Sequence, residues 1–206
     1  TADADKIAQY SKEVIIFAPA VSDIYGDEVV AQPFDFAGLD KVMEGTSRPG
    51  HFDGVGTIVK KLFEIVMPDR AYFGEKDYQQ LLIIQQMVRQ IGLPVTIVPC
   101  PIVRNSEGLA LSSRNALLSE AMIHRASFIY RTLLAAKERF ATHTPAEVEA
   151  WVVDTFAKEP DFTLEYFTIT DAHNLQHATT KEAGKKYRAF IVVHAEGVRL
   201  IDNLSM

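Results

Sequence analysis

Cysteine is nearly absent from this 206-residue chain: Cys100 stands alone, so neither an intrachain disulfide nor a cysteine-clustered metal site can form. No apolar run approaches the roughly 20 residues that a membrane-spanning helix needs, and VIIFAPAV, among the longest, carries a proline. Neither a Walker A pattern nor Gly-x-Gly-x-x-Gly occurs, which removes support from P-loop and dinucleotide readings. His124, His143, His173, His177 and His194 are scattered without ligand spacing, so none is assigned to zinc. Strong charge of one sign is missing too: 21 Lys+Arg against 27 Asp+Glu gives a net charge of −6, with no overall pull toward nucleic acid or anionic lipid. A local basic pocket for a small anion is compatible with this balance. With 48% hydrophobic and 23% charged residues, disordered and collagen-like classes are excluded. The expectation is a globular protein of a reducing, cytoplasmic compartment, with no membrane and no nucleic-acid partner.

What is present reads first as a parallel α/β pattern. A short polar helix at 2–12 leads to an expected strand at 14–17. Pro19 and Gly26 punctuate a loop before a second short strand at 29–32. One or two helical turns at 39–44 end at Gly45, and a Gly-rich loop covers 46–54. From 55 to 66, Val55, Ile58, Val59, Leu62, Ile65 and Val66 recur at helical spacing. A strand at 70–73, a helix at 78–91 closed by Gly92 and Pro94, and a β-branched strand at 95–100 come next. After Pro101 the pattern changes. One long amphipathic helix at 119–140 is capped by Ser119; a second, to about 158, opens on Thr144, Pro145 and Glu147. Three antiparallel strands complete the chain at 163–170, 188–195 and 198–204, the last two joined at Glu196-Gly197. The division expected is 1–102 and 103–206.

Three segments concentrate polar groups beside apolar elements. Phe73-Gly74-Glu75-Lys76-Asp77-Tyr78-Gln79-Gln80 lies where a strand gives way to a helix, the usual ligand edge of an open α/β sheet. Gly74 permits close approach, the helix N-terminus favours an anion, and Lys76 adds a mobile cation. A solvated turn with Asp77 as N-cap is the alternative there. Between Val103 and Asn115, glycine, serines and the arginines Arg104 and Arg114 offer hydroxyls and guanidinium forks to phosphate oxygens; a linker with helix-capping serines is the alternative. Arg48-Pro49-Gly50-His51-Phe52 can bind a carboxylate or tune an amine, against a solvent-exposed loop histidine.

Taken in order, LDKVMEGTSRPGHFDGVGTIVKKLF, PDRAYFGEKDYQQL and VPCPIVRNSEGLALSSRNALLS resemble the pantoate–β-alanine ligase family, and LEYFTITDAHNL extends the likeness toward the C-terminus. The resemblance implies a Rossmann-like nucleotidyltransferase sheet, similar to class I aminoacyl-tRNA synthetases, with a smaller α+β lid. It implies condensation of pantoate and β-alanine with ATP and Mg²⁺ through a pantoyl adenylate, releasing pyrophosphate and AMP, in a homodimer. By the same resemblance Gly74, Glu75, Lys76, Asp77, Val103, Leu111, Ser112, Ser113 and Arg114 line the ATP site. Among these, Lys76, Ser112, Ser113 and Arg114 carry the catalysis. Gln80 and Phe73 belong to pantoate, and Arg48 and His51 to the β-alanine side.

Family members also carry a first strand, a His-x-Gly-His motif for ATP phosphates and a second pantoate-binding glutamine ahead of the point matching Thr1. These are not among the residues here, and the Mg²⁺ ligands are left unassigned. The expectation is therefore a C-terminal portion with an incomplete sheet, inactive alone. The alternatives are another adenylate-forming nucleotidyltransferase and a non-catalytic interaction module.

Overall fold

The computed structural model describes residues 2–25 and 30–206, in two compact units, Thr1–Gln32 and Pro33–Met206. In the first unit the described elements are α1 (Ala2–Tyr10) and α2 (Val21–Tyr25). The strand expected at 14–17 does not form: these residues are irregular, and Ile15 is 92% exposed. A strand exists through its ladder, and no strand among the described residues pairs with this segment. Residues 30–32 are likewise irregular and exposed. Gly26 and Val29 lie outside the described residues.

The second unit opens with a 3-10 turn at Leu39–Lys41, then α3 (Glu44–Ser47) and α4 (His51–Val66). Gly45 therefore sits inside a helical turn rather than ending one. Helix α4 begins four residues before the expected start. Gly50, at φ 76°, takes the left-handed conformation that lets the chain swing into the helix, so His51 occupies its first turn rather than a loop. Next come β1 (Arg70–Gly74), a 3-10 turn at Glu75–Asp77, α5 (Tyr78–Ile91) and β2 (Thr96–Cys100). Strands β1 and β2 are parallel, with Ala71 opposite Ile97, as a helical crossover requires. Ile83, Ile84 and Met87 recur along α5 at helical spacing, are fully buried, and share a core with Phe36, Phe52 and Phe63.

The expected long helix divides into α6 (Glu120–Arg125) and α7 (Ser127–Phe140). At the break, the Ser127 hydroxyl donates to the His124 carbonyl at 2.8 Å, a local bond that competes with the helix ladder. Helix α8 (Pro145–Phe156) begins with the anticipated reciprocal capping box between Thr144 and Glu147. The antiparallel sheet runs β3 (Thr163–Asp171), β4 (Tyr187–Ala195) and β5 (Val198–Ser205), with β4 central. Glu196 and Gly197, at φ 50° and 76°, turn β4 into β5 as the hairpin signal predicts.

Alternation along β4 separates two cores. Ala189, Ile191 and Val193 join Ile129, Leu133, Val148 and Val152 from α7 and α8, whereas Phe190 joins Ile83 and Met87 of α5. Leu133→Ala removes a side chain with no solvent exposure. We expect a loss of ~2–5 kcal/mol, read from the urea unfolding midpoint. Thr144→Ala, which opens only the exposed capping box, should move that midpoint less.

Candidate functional site

The turn Glu75-Lys76-Asp77 leaves the C-terminal end of β1 and is held from the antiparallel sheet. Asn203 of β5 donates its side-chain amide to the Glu75 and Lys76 carbonyls, both at 2.9 Å. Arg188 of β4 reaches the Glu75 carboxylate at 3.1 Å and lies 3.8 Å over the Tyr78 ring. Asp77 makes no capping bond to α5; its carboxylate lies 3.8 Å from the Lys76 ammonium. A Cβ added at Gly74 would meet only open space, so packing does not demand glycine there.

Beside this turn lies a cleft of about 230 Å³ that brings together Arg48, His51, Asp77, Gln80 and Arg114. These five residues come from all three segments singled out in the sequence. Lys76, Ser112 and Arg114 line a narrow crevice that shares Arg114, Arg199 and Ile201 with the cleft. Other expected site residues fall outside its lining. Phe73 turns its ring toward Phe63, 6.3 Å between centroids, and Glu75 is engaged by Arg188. Val103 and Leu111 are exposed and joined by a backbone bond of 2.9 Å. Ser113 is exposed, and Ser112 caps a 3-10 turn by accepting from the Arg114 N–H at 3.2 Å.

Arg104, weighed with Arg114 as a phosphate ligand, is committed elsewhere. It grips Asp202 with bonds of 2.6 and 2.8 Å and stacks 3.7 Å over Tyr130. Burial pushes the Asp202 carboxyl up, against the opposing pull of Arg104.

Glu44, Gln79 and Arg199 also line the cleft, and the sequence reading did not assign them to it. Gln79 is buried, with its amide donating to the Leu39 and Val42 carbonyls at 2.8 Å and its oxygen accepting from the Glu44 N–H at 3.2 Å. It pins α3 to the start of α5. Arg199 bonds to both Glu44 and Glu165, and both carboxylates hold it firmly protonated. The available signal was alternation in β5: Arg199, Ile201 and Asn203 occupy every second position and face the turn and cleft. Burial and the charge of Arg48 lower the His51 pKa, while Glu44 partly restores it. The imidazole is thus biased toward its neutral, proton-accepting form.

The family model for pantoate–β-alanine ligase matches residues 1–205. The pantothenate synthetase of Flavobacterium psychrophilum is 49% identical over 204 residues, covering 99% of this chain and 72% of that protein. That of Christiangramia forsetii is 46% identical with the same coverage. Among solved structures, pantothenate synthetase from Thermus thermophilus superposes with a TM-score of 0.88 at 38% identity, covering 99% of this chain and 74% of that one. The Francisella tularensis pantoate–β-alanine ligase, solved with β-γ ATP and β-alanine, gives 0.71 at 30% identity, covering 99% of this chain and 69% of that one.

The Glu165 contacts generate a pH prediction. Bonds from Arg199 and His194 hold its carboxyl at about 2, below the usual carboxylate range. A depressed folded pKa contributes stability above the unfolded value, lost as pH falls through the folded one. Wild type should therefore be more stable than Glu165→Gln at pH 6, and that difference should shrink from the ordinary carboxylate pKa down to about 2. Urea unfolding of both across this window measures it.

Proposed function

The chain belongs to the pantoate–β-alanine ligase family, and on that premise we propose that its cleft joins pantoate to β-alanine at the expense of ATP. The observation that carries the reading is the convergence of Arg48, His51, Asp77, Gln80 and Arg114 on one cleft, with Lys76 and Ser112 in the adjoining crevice. ATP lies along Gly74, Glu75, Lys76, Asp77, Val103, Leu111, Ser112, Ser113 and Arg114. Gln80 and Phe73 serve pantoate, and Arg48 and His51 serve β-alanine. The nucleotide-binding part runs over 1–102 and the lid over 103–206; the core under α7 and α8 lies wholly within the second stretch, while the other core draws Leu175 and Phe190 across that boundary.

In the first step a pantoate carboxylate oxygen attacks the α-phosphorus of ATP and pyrophosphate leaves. Negative charge grows on phosphoryl oxygens, where Lys76, Arg114 and the Ser112 and Ser113 hydroxyls supply cations and donors. In the second step the neutral β-alanine amine attacks the acyl carbon and AMP leaves; His51 takes the amine proton, its lowered pKa keeping the ring unprotonated beforehand. Holding both substrates in one cleft supplies the proximity contribution. Mg²⁺ accompanying the triphosphate would neutralise charge on its phosphate oxygens. Asp77 is a carboxylate at the cleft, and Mg²⁺ commonly uses one or two carboxylates with substrate phosphates and water. A cytoplasmic homodimer belongs to the same proposal; no helix among the described residues is long and apolar enough to cross a membrane.

The resemblance also assigns ATP-phosphate histidines to a segment ahead of Thr1, so the test uses two samples. One is this chain; the other is this chain extended by the first-strand and His-x-Gly-His segment of a relative. Pyrophosphate release from Mg·ATP is measured with and without pantoate. Pantoate-dependent release in the extended sample is the expected outcome, and Lys76→Met should slow it by roughly 10²–10³-fold. No pantoate response in either folded sample overturns the substrate assignment.

A further inference from the structure

Resting on the reading that the cleft takes β-alanine beside an acyl adenylate, we propose that Arg199 and Glu44 are positioning residues of the amine subsite. Together they hold the turn that presents Arg48 and His51. The register of β3 against β4 slips between Leu164 and Tyr166, which leaves Glu165 as the extra residue of a bulge. Bulges re-aim side chains and are common beside sites. Here Glu165 meets Arg199 twice, at 2.8 Å from Nε and 2.9 Å from one terminal nitrogen. It also meets His194 Nε2 at 2.7 Å, and His194 stands directly opposite Arg199 in the β4–β5 register. The guanidinium is thereby fixed along one edge.

Its terminal nitrogens then reach Glu44, at 2.6 and 3.0 Å. One planar cation thus joins two carboxylates, a fork that a lysine ammonium cannot reproduce. Tyr166, the residue after the bulge, donates its hydroxyl to Glu44 at 3.1 Å. Burial first, and the Glu44 charge second, raise the Tyr166 phenol, so it remains a donor.

Glu44 is the first residue of α3, and its position governs the placement of Arg48 and His51. Gln79 fixes its N–H, and Met43 before it has φ 43°, a conformation that L side chains rarely adopt and that surrounding contacts must enforce. From there the connection is direct. The Arg48 N–H donates to the Glu44 carbonyl at 3.0 Å, and the His51 N–H donates to the Arg48 carbonyl at 3.1 Å. Arg48 and His51 therefore hang from Glu44 by consecutive hydrogen bonds. The charged groups sharing the cleft with His51 are Arg48 and Glu44 from its own segment, Asp77 from the β1 turn, Arg114 after β2, and Arg199 of β5. Of these, Glu44 is the one that offsets Arg48 at the imidazole.

Arg199→Met, Arg199→Lys and the isosteric Glu44→Gln test the proposal in two measurements. In whichever of the original and extended samples turns over, Arg199→Met should raise the β-alanine KM at least tenfold. That rise should exceed the rise in pantoate KM at least fivefold, with partial recovery in Arg199→Lys. Separately, NMR tracks the His51 imidazole of the 206-residue chain, assigned by loss of its signals in His51→Gln. Its resonances should move in Arg199→Met, and in Glu44→Gln it should titrate at lower pH than in wild type. Equal changes in the two KM values, a β-alanine KM within twofold of wild type, or unmoved His51 resonances each overturn the proposal. If neither unaltered sample turns over, the ligase reading fails and the NMR measurement decides alone. A moved and down-titrated His51 then supports the clamp, and an unmoved one rejects it.

Discussion

The second unit depends on burial of β4 on both faces. A central strand enclosed in this way fixes its alternation, because a slip of one residue would exchange every inward side chain for its opposite. With Ala189, Ile191 and Val193 committed to the core under α7 and α8, Arg188 and Phe190 must face the other way. Hairpin pairing then transmits the same constraint to β5, where Asn203 lies opposite Phe190 and Arg199 opposite His194. The β5 side chains that line the site are thus placed by the packing of a hydrophobic core on the opposite face of the sheet.

Charge around the site is handled by engagement at short range rather than by exclusion. Arg188 faces Glu75, Arg104 faces Asp202, and Arg199 faces Glu44 and Glu165. A partly buried guanidinium left alone would bear a desolvation cost, and each of these has a carboxylate to offset it. The cations at the cleft differ in how far they are committed. Arg199 is held by two carboxylates at 2.6 and 2.8 Å, whereas the Lys76 ammonium lies 3.8 Å from the Asp77 carboxylate. Under the proposed function, that long contact leaves the Lys76 ammonium available to a phosphate oxygen.

Much of this was legible in the sequence. The β1–α5–β2 unit, the capping box of α8 and the hairpin at Glu196-Gly197 rest on local signals, and local signals survive into the fold. The segment 14–17 carried equally good strand composition and failed, because a strand also needs a partner that composition cannot supply. At the division of the helix, beside Ala126, the Ser127 hydroxyl takes up the His124 carbonyl, a contact that apolar periodicity does not reveal. For the site, dense polar motifs led to Arg48, His51, Asp77, Gln80 and Arg114. Glu44 and Arg199 escaped notice since they are 155 residues apart and gain meaning only when β5 comes beside α3. Arg104 illustrates the converse: an arginine in a phosphate-like motif was claimed by Asp202, 98 residues away.

The three bonds of Gln79 carry a chemical requirement of their own. Its NH₂ group faces two carbonyl oxygens while its oxygen faces an N–H. A carboxylate has the same shape but no donors, so it would set negative charge against both carbonyls in a buried place. Hydrolysis of this one amide, a change of a single functional group with almost no change in volume, would turn two attractions into repulsions at the point where α3 is fastened. Glutamine and glutamate, near-equivalents on an open surface, are opposites here.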